Sequence, residues 1–290
     1  MKLFLKINLI FIVICLSILY SCAQTSDNID TIVDETSKAY IVVDSQATTI
    51  STRFNTPIGF TRKSYPKNSF QYYLSNFPLK KFGSRVYFYN GFPKPNQTVN
   101  ASVLDIDVGK KDLQQCADAV MRLRAEYLFA QNQFDKIHFN FTNGFRVDFV
   151  KWAQGNRIKV QGNNTSWYKA FEKEDYSYLN FKAYMEQIFQ YAGTLSLSKE
   201  LKKIPIDSIE IGDVFIQGGS PGHAVIVVDV AVNGKGEKVF MIAQSYMPAQ
   251  NIHLLVNATN EKLSPWYNVH QFEKIYSPEW TFEKSDLKRF

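Results

Sequence analysis

The sequence predicts an α+β domain with an antiparallel sheet, because one long amphipathic helix precedes several strands that are joined by turn signals. Apolar residues recur at helical spacing over 112–131. Segments that alternate in polarity flank Asn143-Gly144, and this dipeptide in such a setting is typical of a β-hairpin, here over 137–149. A long apolar strand over 224–232 and a strand over 239–246 form a second antiparallel pair.

The other predicted elements are short and follow from local composition and turn residues. They are a helix over 69–76, strands over 84–89 and 101–108, a helix over 180–191, a turn over 198–203 and a strand over 211–216. The longest helix is predicted to begin at Asp112, because aspartate is a favourable N-cap and Gln115 three residues later completes a capping-box pair.

The N-terminus has the pattern of an export signal. Lys2 and Lys6 supply positive charge, and residues 7–20 are almost entirely apolar but too few for a stable membrane span. We therefore predict a signal peptide over 1–21.

The end of this signal, Leu19-Tyr20-Ser21-Cys22, resembles the lipobox of bacterial lipoproteins. The resemblance implies that Cys22 is lipidated, becomes the mature N-terminus and anchors the protein to a membrane through its acyl chains. Ala23 stands where an aspartate favours retention in the inner membrane. The expected location is therefore the outer membrane, as a lipoprotein of the cell envelope that faces the periplasm or the surface.

A change in composition marks the boundary of the folded part. Residues 22–50 are polar, acidic and poor in aromatic residues, which predicts a flexible tether. From Ser51 onward the chain is rich in Phe, Tyr and Trp, and it is long enough to bury a substantial core. We predict a single domain over 51–290.

Charge and motif spacing exclude several kinds of function. The formal net charge is +6, and removal of Lys2 and Lys6 leaves +4, with basic and acidic residues interspersed. This pattern is typical of a solvated surface rather than a nucleic-acid site. The four histidines lack the spacing of a metal site, and Gly218-Gly219 lacks the Lys-Ser/Thr of a phosphate loop. We expect no metal, no cofactor and no nucleic-acid partner.

Cys116 is the one thiol that remains in the mature chain once Cys22 is lipidated. A lone thiol in an exported protein has no internal disulfide partner, so it is either buried and inert or reactive. Because Cys116 lies in the first turn of the predicted helix, we expect the helix N-terminus to lower its pKa. A thiolate needs a base, and His223 is best placed, since it opens a strand after a glycine-rich loop, where a side chain can face a cleft.

A third group has to orient the imidazole of His223. If Asn233-Gly234 forms the turn, His223 lies opposite Gln244 on the same face of the sheet, about 5 Å away at Cβ. If the turn centres on Gly236 instead, the register shifts and Gln244 loses this role. Asp229 shares the face but lies about 20 Å along the strand, too far to orient the imidazole.

These features together resemble the papain-like superfamily, and within it the chain is most similar to NlpC-type and CHAP-type cell-wall amidases and endopeptidases. The resemblance rests on a cysteine at a helix start, the strand around Gly212-Asp213-Val214, and Gly222-His223 running into an apolar strand. It implies an antiparallel sheet with a central N-terminal helix that carries Cys116. It also implies a Cys–His–polar triad that cleaves amide bonds of peptidoglycan stem peptides.

Carried over to this chain, the resemblance makes Cys116 the nucleophile, His223 the base and acid, and Gln244 the orienting residue. The oxyanion donors are then the backbone N–H of Cys116 and the side chain of Gln115 or Gln114. The segments 112–127 and 212–223 are also similar to an uncharacterised family of bacterial lipoproteins, a domain of unknown function, over nearly the whole mature chain.

Two functions are consistent with these residues. The first is a lipid-anchored cysteine amidase or peptidase that acts on cell-wall peptides or a similar exported substrate. The second is a non-catalytic lipoprotein that uses the same fold to bind a glycan, a peptide or an envelope partner. The sequence around the thiol, Gln115-Cys116-Ala117-Asp118, differs from the Asp-Cys-Ser-Gly that is usual in NlpC-type enzymes, which keeps the binding hypothesis open.

Overall fold

The computed structural model describes residues 41–271 and 273–290, which belong to one compact unit, Ala39–Phe290. The predicted signal peptide, the predicted lipidation site Cys22 and residues 22–40 of the predicted tether lie outside the described residues.

The last residues of the predicted tether pair with the domain. The N–H of Asp44 donates to the carbonyl of Arg53, and the N–H of Leu79 donates to the carbonyl of Thr48. Ile50 is fully buried. The packing of the domain therefore extends to residues that precede its predicted start.

The described residues contain six α-helices. They are α1 (Ile50–Arg53), α2 (Phe70–Ser75), α3 (Cys116–Ala130), α4 (Phe149–Ala153), α5 (Tyr178–Tyr191) and α6 (Thr194–Glu200), with 3₁₀ turns at Phe134–Lys136, Ile206–Ser208 and Lys284–Asp286. The two long helices, α3 and α5, pack together through aromatic rings such as Phe129 and Phe181, whose centroids lie 4.5 Å apart.

The same part of the chain contains fifteen short to medium strands. They are β1 (Phe60–Arg62), β2 (Asn100–Val103), β3 (His138–Asn140), β4 (Arg146–Asp148), β5 (Asn156–Gln161), β6 (Asn164–Lys169), β7 (Lys202–Lys203), β8 (Val214–Gln217), β9 (His223–Asn233), β10 (Lys238–Gln244), β11 (His253–Leu255), β12 (Tyr267–Asn268), β13 (Lys274–Tyr276), β14 (Thr281–Glu283) and β15 (Leu287–Arg289).

The main sheet has the order β2-β11-β10-β9-β8-β15-β7, with β1 added to β9 and β12 added to β10. Three separate hairpins are formed by β3–β4, β5–β6 and β13–β14. All of these described pairs are antiparallel. The predicted fold class, α+β with a mostly antiparallel sheet, is therefore confirmed.

Strand β9 lies near the middle of the main sheet and is buried over residues 223–231. Its sequence is an almost continuous apolar run, which is typical of a strand covered on both faces. Helices α2 and α3 pack against it. This packing brings α3 and the strand that begins at His223 into one core.

Several predicted elements are confirmed, and others have different bounds. The helix over 69–76, the hairpin over 137–149 and the pair over 224–232 and 239–246 all form close to where they were predicted. The predicted turn over 198–203 is instead the end of α6 followed by β7.

The prediction of a strand over 84–89 is wrong. This segment forms only isolated bridges, in which Phe88 N–H donates to Phe92 O and Tyr89 N–H donates to Ala249 O. Its backbone groups are thus satisfied by a turn and by a distant loop rather than by a neighbouring strand.

The longest helix begins at Cys116 rather than at Asp112, and its N-cap is Gln115. The carboxylate of Asp112 accepts hydrogen bonds from the Ala249 N–H (2.7 Å) and from the Gln115 amide (3.2 Å), so it ties two loops together. The carboxylate that bonds to the helix start belongs instead to Asp118, which accepts from the Gln115 N–H at 3.0 Å. No helix of the described residues is long and apolar enough to cross a membrane.

Candidate functional site

Cys116 is the first residue of α3, and its side chain is only 7% exposed. Burial raises the pKa of the thiol to about 11, and the nearby carboxyl of Asp118 adds to this rise. The backbone N–H groups of Ala117, Ala224 and Cys116 itself favour the thiolate, but their effect is smaller than that of burial. The expectation that the helix N-terminus lowers the thiol pKa is therefore wrong, because burial has the larger effect.

His223 is the first residue of β9 and is 1% exposed, so it does not face an open cleft. Its Nε2 lies 2.8 Å from Oε1 of Gln244. The amide of Gln244 is oriented by its own Nε2, which donates to Glu279 Oε2 at 2.6 Å. Because an amide oxygen only accepts, Nε2 of His223 carries the proton, and Nδ1 keeps the lone pair.

Gln244 reaches His223 through a register that differs from the predicted one. Lys238 pairs with Val232, a pairing that would place Gln244 and His223 on opposite faces of the sheet. A β-bulge leaves Val228 without a partner and shifts the register by one residue. The bulge returns Gln244 to the same face of the sheet as His223. The turn between β9 and β10 is longer than the predicted Asn233-Gly234 turn, but the two side chains remain in contact.

Lys94 and Glu279 extend this hydrogen-bonded chain, and the sequence did not reveal them. Lys94 Nζ lies 2.6 Å from Glu279 Oε1, and the two side chains are 6% and 18% exposed. They are 185 residues apart in the sequence and both lie in loops. No local sequence pattern predicts this ion pair. It forms because the loop between α2 and β2, which holds Lys94, contacts the β13–β14 hairpin, which holds Glu279.

Aromatic rings enclose the imidazole of His223. The ring centroids of Tyr246, Trp280 and Phe282 lie 4.9, 5.3 and 5.9 Å from that of His223. Burial lowers the pKa of His223 to about 4, although the hydrogen bond to Gln244 and the charge of Glu279 oppose the shift. The imidazole is thus neutral near pH 7.

The two predicted catalytic residues, Cys116 and His223, lie in the same region of the fold, where Cys116 contacts the residue after His223. The N–H of Ala224, the residue after His223, faces the sulfur of Cys116. In the described part of the chain no hydrogen bond joins the sulfur to the imidazole. The thiol pKa of about 11 lies far above the imidazole pKa of about 4, so the neutral thiol and neutral imidazole are favoured over the thiolate–imidazolium pair.

The glycine-rich loop before His223 is held by the start of α6. A Cβ at Gly222 would lie 2.5 Å from Thr194 Oγ1 and 2.6 Å from the carbonyl of Gly219. Thr194 Oγ1 also lies 3.3 Å from the Gly219 carbonyl, to which it donates. The space around Gly222 is therefore too small for a side chain, so this position of the loop requires glycine.

The side chain of Gln115, which was predicted to bind the oxyanion, already uses its amide to donate a hydrogen bond to Asp112. The other candidate, Gln114, is 1% exposed, and its Oε1 accepts from Arg122 at 3.2 Å. Its Nε2 is buried and has no hydrogen-bond partner in the described residues. Of the two glutamine side chains, Gln114 is the one with a buried donor that has no partner among the described residues.

A second buried histidine lies beside this chain of residues. His253 on β11 pairs with Gln244 across the sheet, and its Nδ1 lies 2.9 Å from the carbonyl of Asn251. Burial lowers its pKa to about 4. The described residues contain no group of three or more His, Cys, Asp or Glu side chains that could hold a metal ion.

Residues 50–289 match a family that is described as a Domain of unknown function (4846). No curated protein and no solved structure matches the chain.

Proposed function

The chain belongs to the family described as a Domain of unknown function (4846), and we propose that its domain is a cysteine hydrolase of papain-like type. Its substrates are amide bonds of cell-wall peptides or of a similar exported polymer. Within this proposal the fold corresponds to that of NlpC-type and CHAP-type enzymes, with Cys116 on the N-terminal helix of the core.

The observation that carries the proposal is the fixed tautomer of His223. Glu279 orients the amide of Gln244, and the amide oxygen in turn holds the proton on Nε2 of His223. This leaves Nδ1 as the base on a histidine whose neighbour, Ala224, already contacts the thiol of Cys116. A purely structural buried histidine does not need a three-residue chain to select its tautomer.

The chemistry follows from these groups. Nδ1 of His223 accepts the proton of Cys116 as the sulfur attacks the carbonyl carbon of the substrate. The same proton passes to the leaving amine when the C–N bond breaks, which leaves a thioester on Cys116. A water molecule then attacks the thioester carbonyl and gives its proton to Nδ1. The C–S bond breaks, the acid product leaves, and the proton returns from Nδ1 to the sulfur of Cys116. The backbone N–H of Cys116 and Nε2 of Gln114 are the donors for the oxyanion.

The buried state of the pair means that activity depends on the approach of substrate. Cys116 and His223 are both almost fully covered, and burial favours the neutral thiol and the neutral imidazole. An amide carbonyl that enters beside the thiol takes up the developing negative charge, so no free thiolate has to form first.

The alternative proposal is a binding protein that does not cleave its ligand. The observation in its favour is the thiol of Cys116, which burial holds in its neutral form with a pKa of about 11. On this proposal the polar chain from Lys94 to His223 fixes the shape of the core, and the ligand is a glycan, a peptide or an envelope partner.

Hydrolysis of purified muropeptides separates the two proposals. We expect the protein to release a free amine from these peptides, and both Cys116→Ala and His223→Ala to lower the rate by at least about a hundredfold. His270→Ala, which changes an exposed histidine, serves as the matched control and keeps the full rate. Absence of cleavage by the native protein, together with retained binding of the same peptides, favours the binding proposal.

We also propose that the protein is a lipoprotein anchored to the outer membrane through Cys22. The support is the sequence pattern of residues 1–22. Cells that express the full chain and are fed a labelled fatty acid are expected to label the protein. Cys22→Ala abolishes the label, and Cys15→Ala, which changes a cysteine inside the same segment, leaves it in place. Equal labelling of both variants contradicts the anchor.

A further inference from the structure

Arg124 lies on α3, eight residues after Cys116 and therefore roughly 12 Å further along the helix axis. It lines an open pocket of about 490 Å³ whose wall also includes Phe70, Tyr127, Arg289 and Phe290. Neither Cys116 nor His223 lines this pocket, so it is separate from the candidate active site.

The guanidinium of Arg124 has no hydrogen bond or ion pair with any described residue. Its contacts are with aromatic rings, whose centroids lie 4.9 Å (Phe70), 5.7 Å (Tyr127) and 5.3 Å (Phe290) from the guanidinium carbon. Burial lowers its pKa. An arginine that is partly withdrawn from water normally pairs its N–H donors, so those of Arg124 are available to a ligand.

Other arginines of the domain donate hydrogen bonds from their guanidinium groups to protein oxygens. Arg157 also stacks on a ring, at 4.0 Å from Trp152, but it donates to the Trp152 carbonyl and to Asn180 Oδ1. Arg122 is bonded to carboxylates and to Gln114. Stacking on aromatic rings therefore does not by itself leave an arginine without polar partners in this fold.

The charge around the pocket is positive. Arg124, Lys136 and Arg289 all line it. The side-chain carboxylate among the lining residues belongs to Asp213, and it is already bonded to Arg289 through both oxygens, at 2.6 and 2.8 Å. Neither Arg124 nor Lys136 forms an ion pair with a carboxylate of the described residues.

We propose that this pocket binds a small organic oxyanion, a carboxylate or a phosphate ester that carries an apolar or aromatic group. The planar guanidinium of Arg124 binds the oxyanion through two parallel hydrogen bonds, and Lys136 adds a second positive charge. Phe70, Tyr127 and Phe290 contact the apolar part. The volume of the pocket is within the range usual for small-molecule sites. The proposal does not depend on the hydrolase function.

The test is an NMR titration of the full chain at constant ionic strength with three probes: inorganic phosphate, phenyl phosphate and benzoate. We expect saturable shifts at residues around Arg124, with the phenyl-bearing probes binding more tightly than inorganic phosphate. Comparison of phenyl phosphate with benzoate shows which oxyanion the site prefers.

Three variants make the titration decisive. Arg124→Gln is expected to weaken binding about tenfold, and Lys136→Gln about threefold. Arg85→Gln removes the same charge from an exposed position and is expected to change nothing. Because Lys136 is exposed, its variant folds even if Arg124→Gln does not. Shifts that do not saturate, that sodium chloride reproduces, or that both pocket variants leave unchanged overturn the proposal.

Discussion

At the scale of single residues, the structure shows how a buried histidine is given one protonation state. His223 is neutral because it is buried, and its proton is on Nε2 because Gln244 can only accept there. Gln244 is fixed in turn by Glu279. A substitution of Gln244 or Glu279 is therefore expected to change the hydrogen bonding of the imidazole.

The first prediction concerns acid stability. The pKa of His223 is about 4 in the folded protein, below its ordinary value of 6.5, so the unfolded chain binds more protons between these values. The stability that the neutral imidazole provides is complete above pH 6.5 and is lost as the pH falls toward 4. Between pH 7 and pH 4.5 this loss is about 2 to 3 kcal/mol for one such histidine.

Urea unfolding at pH 7 and pH 4.5 measures this effect. His223→Gln is expected to lose less stability on acidification than the native protein, by about 2 kcal/mol. His270→Gln is the control, since His270 is exposed. An identical pH dependence in the native protein and in His223→Gln contradicts a buried, neutral imidazole. His253, whose pKa burial also lowers to about 4, contributes acid sensitivity of the same sign to the native protein and to the variant.

The second prediction concerns the ion pair of Lys94 and Glu279. Lys94 is buried and Glu279 is partly buried, so removing one partner leaves a charge that is largely withdrawn from water and unpaired. Lys94→Met or Glu279→Gln alone is expected to destabilise the fold by about 2 to 4 kcal/mol. The double variant is expected to recover at least half of this loss, because both charges are gone.

The surface pair of Lys111 and Glu186 is the matched control for this cycle. Its side chains are 60% and 45% exposed, and the N–O distance of 2.7 Å is similar. We expect no measurable coupling there, since water screens exposed pairs. If the two pairs show equal coupling in thermal or urea unfolding, the buried pair does not have the role assigned to it.

At the scale of secondary-structure elements, the loop before β9 depends on a close approach of α6. Gly222 lies against Thr194, and an added methyl group would overlap with the Thr194 hydroxyl and with two backbone carbonyls. The loop sets the position of His223 at the start of β9. Packing between these two elements is thus part of the site.

The third prediction tests this packing with a glycine pair. Gly222→Ala is expected to destabilise the protein by about 1 to 3 kcal/mol through overpacking and to reduce any hydrolytic rate further. Gly234→Ala, in the turn between β9 and β10, has open space around the new methyl group and no positive φ. It is expected to be neutral. Equal effects of the two substitutions on the unfolding midpoint contradict the close approach.

The elements also show which parts of the fold a single sequence can predict. The Asn143-Gly144 hairpin and the core of α3 follow from local periodicity and turn chemistry, and both form. The bulge at Val228 does not follow from them, because nothing in an apolar run marks which residue lacks a partner. The prediction that Gln244 contacts His223 is confirmed, although the register on which it was based is not the observed one.

At the scale of the whole molecule, the parts that the sequence did not reveal are those made by long-range contacts. Lys94 and Glu279 come from loops that are far apart in the chain. The thiol pKa was expected to be lowered by the helix N-terminus, but the surrounding core covers Cys116 and burial has the larger effect. Local patterns identify the candidate residues, whereas their protonation states depend on how the entire domain closes over them.

The most direct test of the hydrolase proposal is the labelling rate of the buried thiol of Cys116 at pH 7. A small haloacetamide and a peptide chloromethyl ketone are compared on native and unfolded protein, with the modified site identified by mass spectrometry. Because the resting thiol is neutral, the haloacetamide is expected to label native Cys116 more slowly than the unfolded chain. The peptide reagent, which resembles a substrate, is expected to label the native protein faster, and His223→Ala is expected to remove this advantage. Slow labelling of native Cys116 by both reagents, unaffected by His223→Ala, would contradict a catalytic Cys116–His223 pair.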